Sequence, residues 1–180
     1  RDDGPRPAAS DASEILYGFH AVLEALESGL RTIDRILVVR DGAAGLGQVV
    51  RAARERGVPV SHLPRDVFER KVGRRAVHQG VAAAVSAVPY AAADELVRGA
   101  ASRGDALLLV LDGIEDPRNL GAALRSAAAA GADGVLLGDE GTVGLTAAAA
   151  KTSAGAVERI PVAREARLRA VPVTPDAVRL

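Results

Sequence analysis

The 180 residues include no cysteine, which excludes disulfides and thiolate metal sites and fits a reducing, cytoplasmic setting. No run approaches the ~20 apolar residues of a membrane-spanning helix. The opening residues do not read as a basic-plus-apolar leader. Aromatic residues are scarce, with two Phe, two Tyr and no Trp, so a platform that stacks successive bases is not available. Charge bias is absent as well. Lys+Arg and Asp+Glu both number 23, so any affinity for nucleic acid must come from local patches. What remains is an ordinary globular composition, 48% hydrophobic, in a length that suits one large domain or two small ones.

The most informative stretch is residues 106–139, ALLLVLDGIEDPRNLGAALRSAAAAGADGVLLGD. Six apolar residues, 106–111, predict a strand buried on both faces. Asp116 followed by Pro117 predicts a helix start, a capping carboxylate ahead of proline at the first helical position. Leu120, Leu124, Ala127 and Ala128 recur at helical spacing, Gly131 marks the end, and a second buried strand runs over 135–137. Such a strand–helix–strand crossover is right-handed in nearly all cases. In open parallel sheets ligands sit off the carboxyl ends of the strands. There the sequence places Asp112, Glu115, Asp116, Arg118 and Asn119, with Arg125 further along the helix. Arg118 and Arg125 are seven residues apart, so they share a helix face roughly 10 Å apart along the axis.

Upstream, residues 1–13 mix charge, proline and alanine without period and read as a tail. A helix with Ala21, Val22, Ala25 and Leu26 on one face follows, then a strand over 33–39. The loop 41–47 carries Gly42, Gly45 and Gly47 but not the dinucleotide fingerprint, so it reads as a connection. A helix over 48–56, a short strand over 58–62 and a strand over 81–88 complete a small α/β unit. Within it Arg65, Arg70, Lys71, Arg74 and Arg75 stand against only Asp66 and Glu69, a cluster able to recruit phosphates without reading sequence. His20, His62 and His78 are scattered, with no spacing that links them into a metal site. Residues 89–104 read as a linker with a helical stretch over 91–101. Further on, 147–151 predicts a helix broken by Gly155, and 157–162 a strand.

The segment DGIEDPRNLGAALRSAAAAGA resembles the first signature of the TrmH/SpoU family of RNA ribose 2′-O-methyltransferases, a branch of the knotted SPOUT class. GTVGLTAAAAKTSAGAVERIPVAR resembles the next block of that family. LYGFHAVLEAL and HQGVAAAV resemble the amino-terminal domain of its ribosomal-RNA branch, which is similar to an RNA-binding ribosomal protein fold. The resemblance implies an α/β chain of two parts. A tail (1–14) precedes an N-terminal RNA substrate-binding domain (15–88). The linker (89–104) then leads to a Rossmann-like, parallel-sheet SPOUT methyltransferase domain (105–180), a trefoil knot when complete. It also implies S-adenosylmethionine as cofactor, large-subunit rRNA as partner and a homodimer. The reaction would be methylation of a guanosine ribose, or of an adenosine as in resistance-type relatives.

Residue by residue, the resemblance assigns the critical arginine to Arg125 and a supporting amide to Asn119. A guanidinium is hard to deprotonate. Arg125 is therefore expected to bind the phosphate next to the target and to stabilise the developing alkoxide, with water or that phosphate taking the proton. Arg65, Arg70, Lys71, Arg74, Arg75, Arg118 and Lys151 are the expected RNA contacts. After Arg164 the resemblance stops: EARLRAVPVTPDAVRL lacks the serine–leucine–asparagine signature whose loops hold the cofactor. A natural protein longer than this string is the expectation, because a sheet cut there leaves strand edges unpaired. Cofactor-binding residues stay unassigned, and an RNA-binding module without catalysis is the rival reading.

Overall fold

The computed structural model describes residues 14–41, 44–74, 76–166 and 168. The tail 1–13, Arg75 of the basic cluster and the segment 169–180 lie outside the described residues.

The first unit is a four-stranded sheet in the order β1-β4-β2-β3. Its strands are β1 (Glu14–Tyr17), β2 (Ile33–Val39), β3 (Val60–Leu63) and β4 (Val81–Val85). β4 runs antiparallel to both β1 and β2, while β2 and β3 are parallel. Glu14, which the sequence groups with the tail, already belongs to β1 and pairs with Val85. Helices α1 (Phe19–Ser28) and α2 (Gly47–Glu55) bury Val22, Leu26, Val49 and Ala53 in the main core together with Leu16, Ile36 and Val81. Helix α3 (Arg65–Val72) covers the opposite face, where Phe68 seals a smaller cluster with Leu37, Val39 and Ala82. The strand pattern explains the two faces, since neighbouring residues of β2 point to opposite sides.

The second unit is a three-stranded parallel sheet, β5 (Leu108–Leu111), β6 (Gly134–Gly138) and β7 (Val162–Glu165), in that order. β6 is central and wholly buried. β5 is not buried on both faces as its apolar run predicts: it forms an edge of this sheet, and Val110 is 52% exposed. The apolar run is shared between the core, which takes Leu109 and Leu111, and an outward face. Likewise 157–162 is not a strand. A 3-10 turn (Ala156–Glu158) buries Val157 and Glu158, and β7 begins only after Pro161. Helix α5 (Pro117–Ala129) crosses between β5 and β6, and α6 (Ala147–Thr152) packs against it. The segment 89–104 is more than a tether. Ala91 donates to the Val162 carbonyl beside β7, and helix α4 (Ala93–Ala101) lies over β6 and β7.

The main core is continuous across both units, joining Leu16, Leu26 and Ile36 to Leu120, Leu124 and Val157. At that junction Arg31 is ion-paired to Glu158, with the two side chains 1% and 0% exposed. Arg31 also donates to the Ser86 carbonyl at 3.2 Å. On the rim, Arg159 pairs with Glu24 and, at 3.6 Å, with Glu27.

Candidate RNA-modifying site

Parallel pairing puts the carboxyl ends of β5, β6 and β7 on one edge of the sheet. Two loops leave that edge and are fastened to one another. Gly113 N–H donates to Thr142 Oγ1 at 3.0 Å, and Val143 N–H donates to the Ile114 carbonyl at 2.7 Å. Arg164 at the end of β7 closes the second loop, donating to Asp139 Oδ1 at 2.6 Å and to the Thr142 carbonyl at 2.8 Å. Tyr90, from the connecting segment, accepts from Leu145 N–H at 3.1 Å through its hydroxyl. No local pattern signals this Tyr90–Arg164–Asp139 brace, because its members are far apart along the chain.

Helix α5 starts at this edge as the Asp-Pro pair predicts. Asp116 caps it by accepting from Arg118 N–H at 2.7 Å, and Pro117 occupies the first turn, where a missing N–H costs nothing. The Arg118 guanidinium returns to the same carboxylate at 3.1 Å. That hydrogen bond, with the backbone N–H of Arg118, holds the Asp116 carboxyl below the usual carboxylate range. Asn119 is exposed in the first turn. Arg125, six residues and roughly 9 Å further along the axis, is also exposed. The described residues give Arg125 no hydrogen-bond or ion-pair partner, so its fork is open to an outside acceptor.

Gly121 fixes how the helix sits. A Cβ there would lie 2.6 Å from the Ala149 carbonyl oxygen, 2.7 Å from Thr152 Cβ and 2.9 Å from Ser153 N. Only glycine allows α5 and α6 to approach this closely. Thr146 caps α6 by accepting from Ala149 N–H, and the buried Ser153 hydroxyl closes its far end on the Ala150 carbonyl at 2.7 Å.

Of the other sequence-predicted cations, Arg65, Arg70, Lys71 and Arg74 lie on the first unit. Arg65 and Arg70 project from α3 and form one-turn pairs with Glu69 at 3.5 Å and Asp66 at 3.1 Å. Such exposed pairs are weak and exchange readily for phosphate. Lys71 and Arg74 are exposed beside them. Lys151 of the second unit also reaches the first: its Nζ donates to the Val77 carbonyl at 2.5 Å and lies 4.5 Å from the centre of the Tyr17 ring. Burial pushes the Lys151 ammonium pKa down. The structure thus gathers Arg118, Asn119 and Arg125 on one helix and the α3 cations on another, with Lys151 standing between the two units. Arg31 and Glu158 were missed by sequence reading; a lone glutamate in AVERIPV is the one hint, since a charge amid apolar residues needs a partner.

Comparison with known proteins agrees with this division. Residues 15–91 match the family described as RNA 2′-O ribose methyltransferase substrate binding, and residues 106–173 match the SpoU rRNA methylase family. A relative from Mycobacterium avium (strain 104), described as an uncharacterized tRNA/rRNA methyltransferase, is 40% identical over 165 residues, which are 91% of this chain and 53% of that protein. A putative TrmH family tRNA/rRNA methyltransferase of Bacillus subtilis (strain 168) is 37% identical over 161 residues, 88% of this chain and 64% of the relative. The chain therefore spans about half to two thirds of the length of these relatives. Among solved structures, an AdoMet-bound rRNA methyltransferase from Sinorhizobium meliloti superposes with a TM-score of 0.65 at 28% identity, covering 84% of this chain and 54% of that one. The AviRb methyltransferase of Streptomyces viridochromogenes shares the fold, with a TM-score of 0.66 at 20% identity over 84% of this chain and 54% of its own.

Proposed function

The chain belongs to the SpoU family of RNA methyltransferases, and from that premise we propose that it directs methylation of a ribose 2′-oxygen in RNA. S-adenosylmethionine is the methyl donor in this reading, and a guanosine of large-subunit rRNA the target, handled by a cytoplasmic homodimer. The observation that carries the reading is Arg125: an exposed guanidinium without a partner among the described residues, on a helix packed tightly into the second unit.

The donor supplies an electrophilic methyl group, and everything else falls to the chain. Asp112 occupies the space a side chain at Gly138 would take, and Arg164 closes on Asp139 and Thr142. No described residue is therefore assigned to hold the donor. Arg125 grips the phosphate beside the target ribose through its planar fork. From there it faces the 2′-oxygen as negative charge develops and lowers the barrier electrostatically. The proton leaves to water or to that phosphate, because the guanidinium cannot accept it. Asn119, nearer the strand edge, orients the ribose. The cations Arg65, Arg70, Lys71, Arg74 and Arg75, with Arg118, bind the RNA backbone.

Mapping ribose methylation on large-subunit rRNA from cells with and without the gene tests this reading. Loss of one 2′-O-methylguanosine agrees with it, whereas loss of a base methylation, or of a mark confined to tRNA, contradicts it.

A further inference from the structure

Two motifs of the first unit, YGFH and HQG, lie sixty residues apart in sequence, yet the fold brings them into one corner. Gly18, at φ +102°, turns the chain from β1 into α1, and its N–H donates to the Val81 carbonyl at 3.1 Å. Helix α1 has no cap from its own N-cap residue. Gln79 supplies one from a distance, its Oε1 accepting Phe19 N–H at 2.9 Å. Residues 76–80 are held at this end by the same corner, and Arg74 lies just after the basic helix α3.

Lys151 enters that corner from the other unit. Its Nζ hydrogen-bonds the Val77 carbonyl in the middle of the loop, its ammonium lies over the Tyr17 ring, and its Cε would be 3.9 Å from a Cβ at Gly18. Lys151 is itself fixed, because it sits on α6, whose backbone touches Gly121 of the helix that carries Arg125. A chain of contacts thus runs from the basic loop through Lys151 and α6 to α5.

We infer that Lys151 is a positioning residue, a strap joining the loop 76–80 to the α5–α6 pair, rather than a ligand for RNA phosphate. Resting on the methyltransferase reading above, the strap sets where RNA held by the first unit lies relative to Arg125. An ammonium already engaged by a carbonyl and a ring face has little to offer a phosphate. Removing it would free the loop without removing a counterion-releasing contact.

Two measurements on Lys151→Met separate the roles. Amide hydrogen exchange at residues 76–81 should quicken by roughly tenfold, the loss of one charge-assisted hydrogen bond and one cation–π contact, while β5 and β6 stay at wild-type rates. Binding of an rRNA fragment, followed against salt, should keep its wild-type slope of log K on log[salt]. Tyr17→Leu, which removes the ring but no cation, should also quicken exchange in the loop, and it covers the case in which Lys151→Met fails to fold. Unchanged loop exchange in both variants overturns the strap. A slope shallower by about one ion in Lys151→Met overturns the inference whatever the exchange does. The exchange readout needs no RNA, so a wild-type chain that bound no rRNA would count against the proposed function and leave the strap standing or falling by itself.

Discussion

Arg31→Met is the sharpest perturbation of the junction between the two units. The Arg31 and Glu158 side chains are almost completely buried, and Arg31 also holds the Ser86 carbonyl. Among the described residues Arg31 Nε and Glu158 Oε2 have no hydrogen-bond partner. Burial pushes the Glu158 carboxyl up, and Arg31 pulls it back only in part. The pair is therefore no large net source of stability; it makes burying either charge alone unfavourable. Removing one member of such a pair typically destabilises by about 3–5 kcal/mol. Without Arg31 the Glu158 pKa rises further. A carboxyl raised above its unfolded value contributes stability that is complete below the unfolded pKa and is lost as pH climbs through the folded one. The destabilisation by Arg31→Met should accordingly be smaller near pH 5 than near pH 8. The double variant Arg31→Met/Glu158→Leu should regain most of the loss, because matched apolar groups replace both charges. Urea unfolding at the two pH values, read by linear extrapolation, measures each arm. A single variant with wild-type stability at pH 8, or a loss independent of pH, would mean that Glu158 is not left buried and charged when Arg31 is removed.

Gly121→Ala should destabilise by about 1–3 kcal/mol, as overpacking against backbone does; thermal unfolding checks it, and a neutral result would mean that α6 can move aside. Replacing Lys71 and Arg74 by Ala should flatten the salt dependence of rRNA binding by roughly two ions' worth while leaving the melting temperature unchanged. An unaltered slope would place the RNA on another face. Asp116→Ala should fray the start of α5, shown by faster amide exchange at Arg118 and Leu120. The Asp116 carboxyl is held below its ordinary value, so its contribution is present above the unfolded pKa and fades as pH falls through the lowered one. Acid should narrow the difference between Asp116→Ala and wild type. Asn119→Ala should slow single-turnover methylation with little change in RNA affinity; an unchanged rate would remove Asn119 from the site.

The elements most legible in the sequence were those whose signals are local. The strand over 33–39 is β2 to the residue, and Asp116-Pro117 set the start of α5 because a cap and a fixed φ need no tertiary help. The apolar run 106–111 misled, since apolar residues show that a strand exists but not whether neighbours cover both of its faces. The 3-10 turn at Ala156–Glu158 hid inside a β-like pattern, VERIPV, because Glu158 turns inward to meet Arg31. Tyr90, Gln79 and Lys151 drew their meaning from partners 55, 60 and 74 residues away, and no periodicity carries such separations. Arg125 is singled out by its motif alone, whereas its exposure became visible only with the helix in place.

The decisive experiment is single-turnover methylation of large-subunit rRNA by the protein with labelled S-adenosylmethionine, comparing wild type with Arg125→Lys. Label should fall on a ribose 2′-oxygen, and Arg125→Lys should keep RNA affinity within a few-fold but lose most of the rate, because lysine keeps the charge but not the fork. Wild-type turnover in Arg125→Lys would remove Arg125 from the chemistry, and label found on a base would exclude ribose methylation.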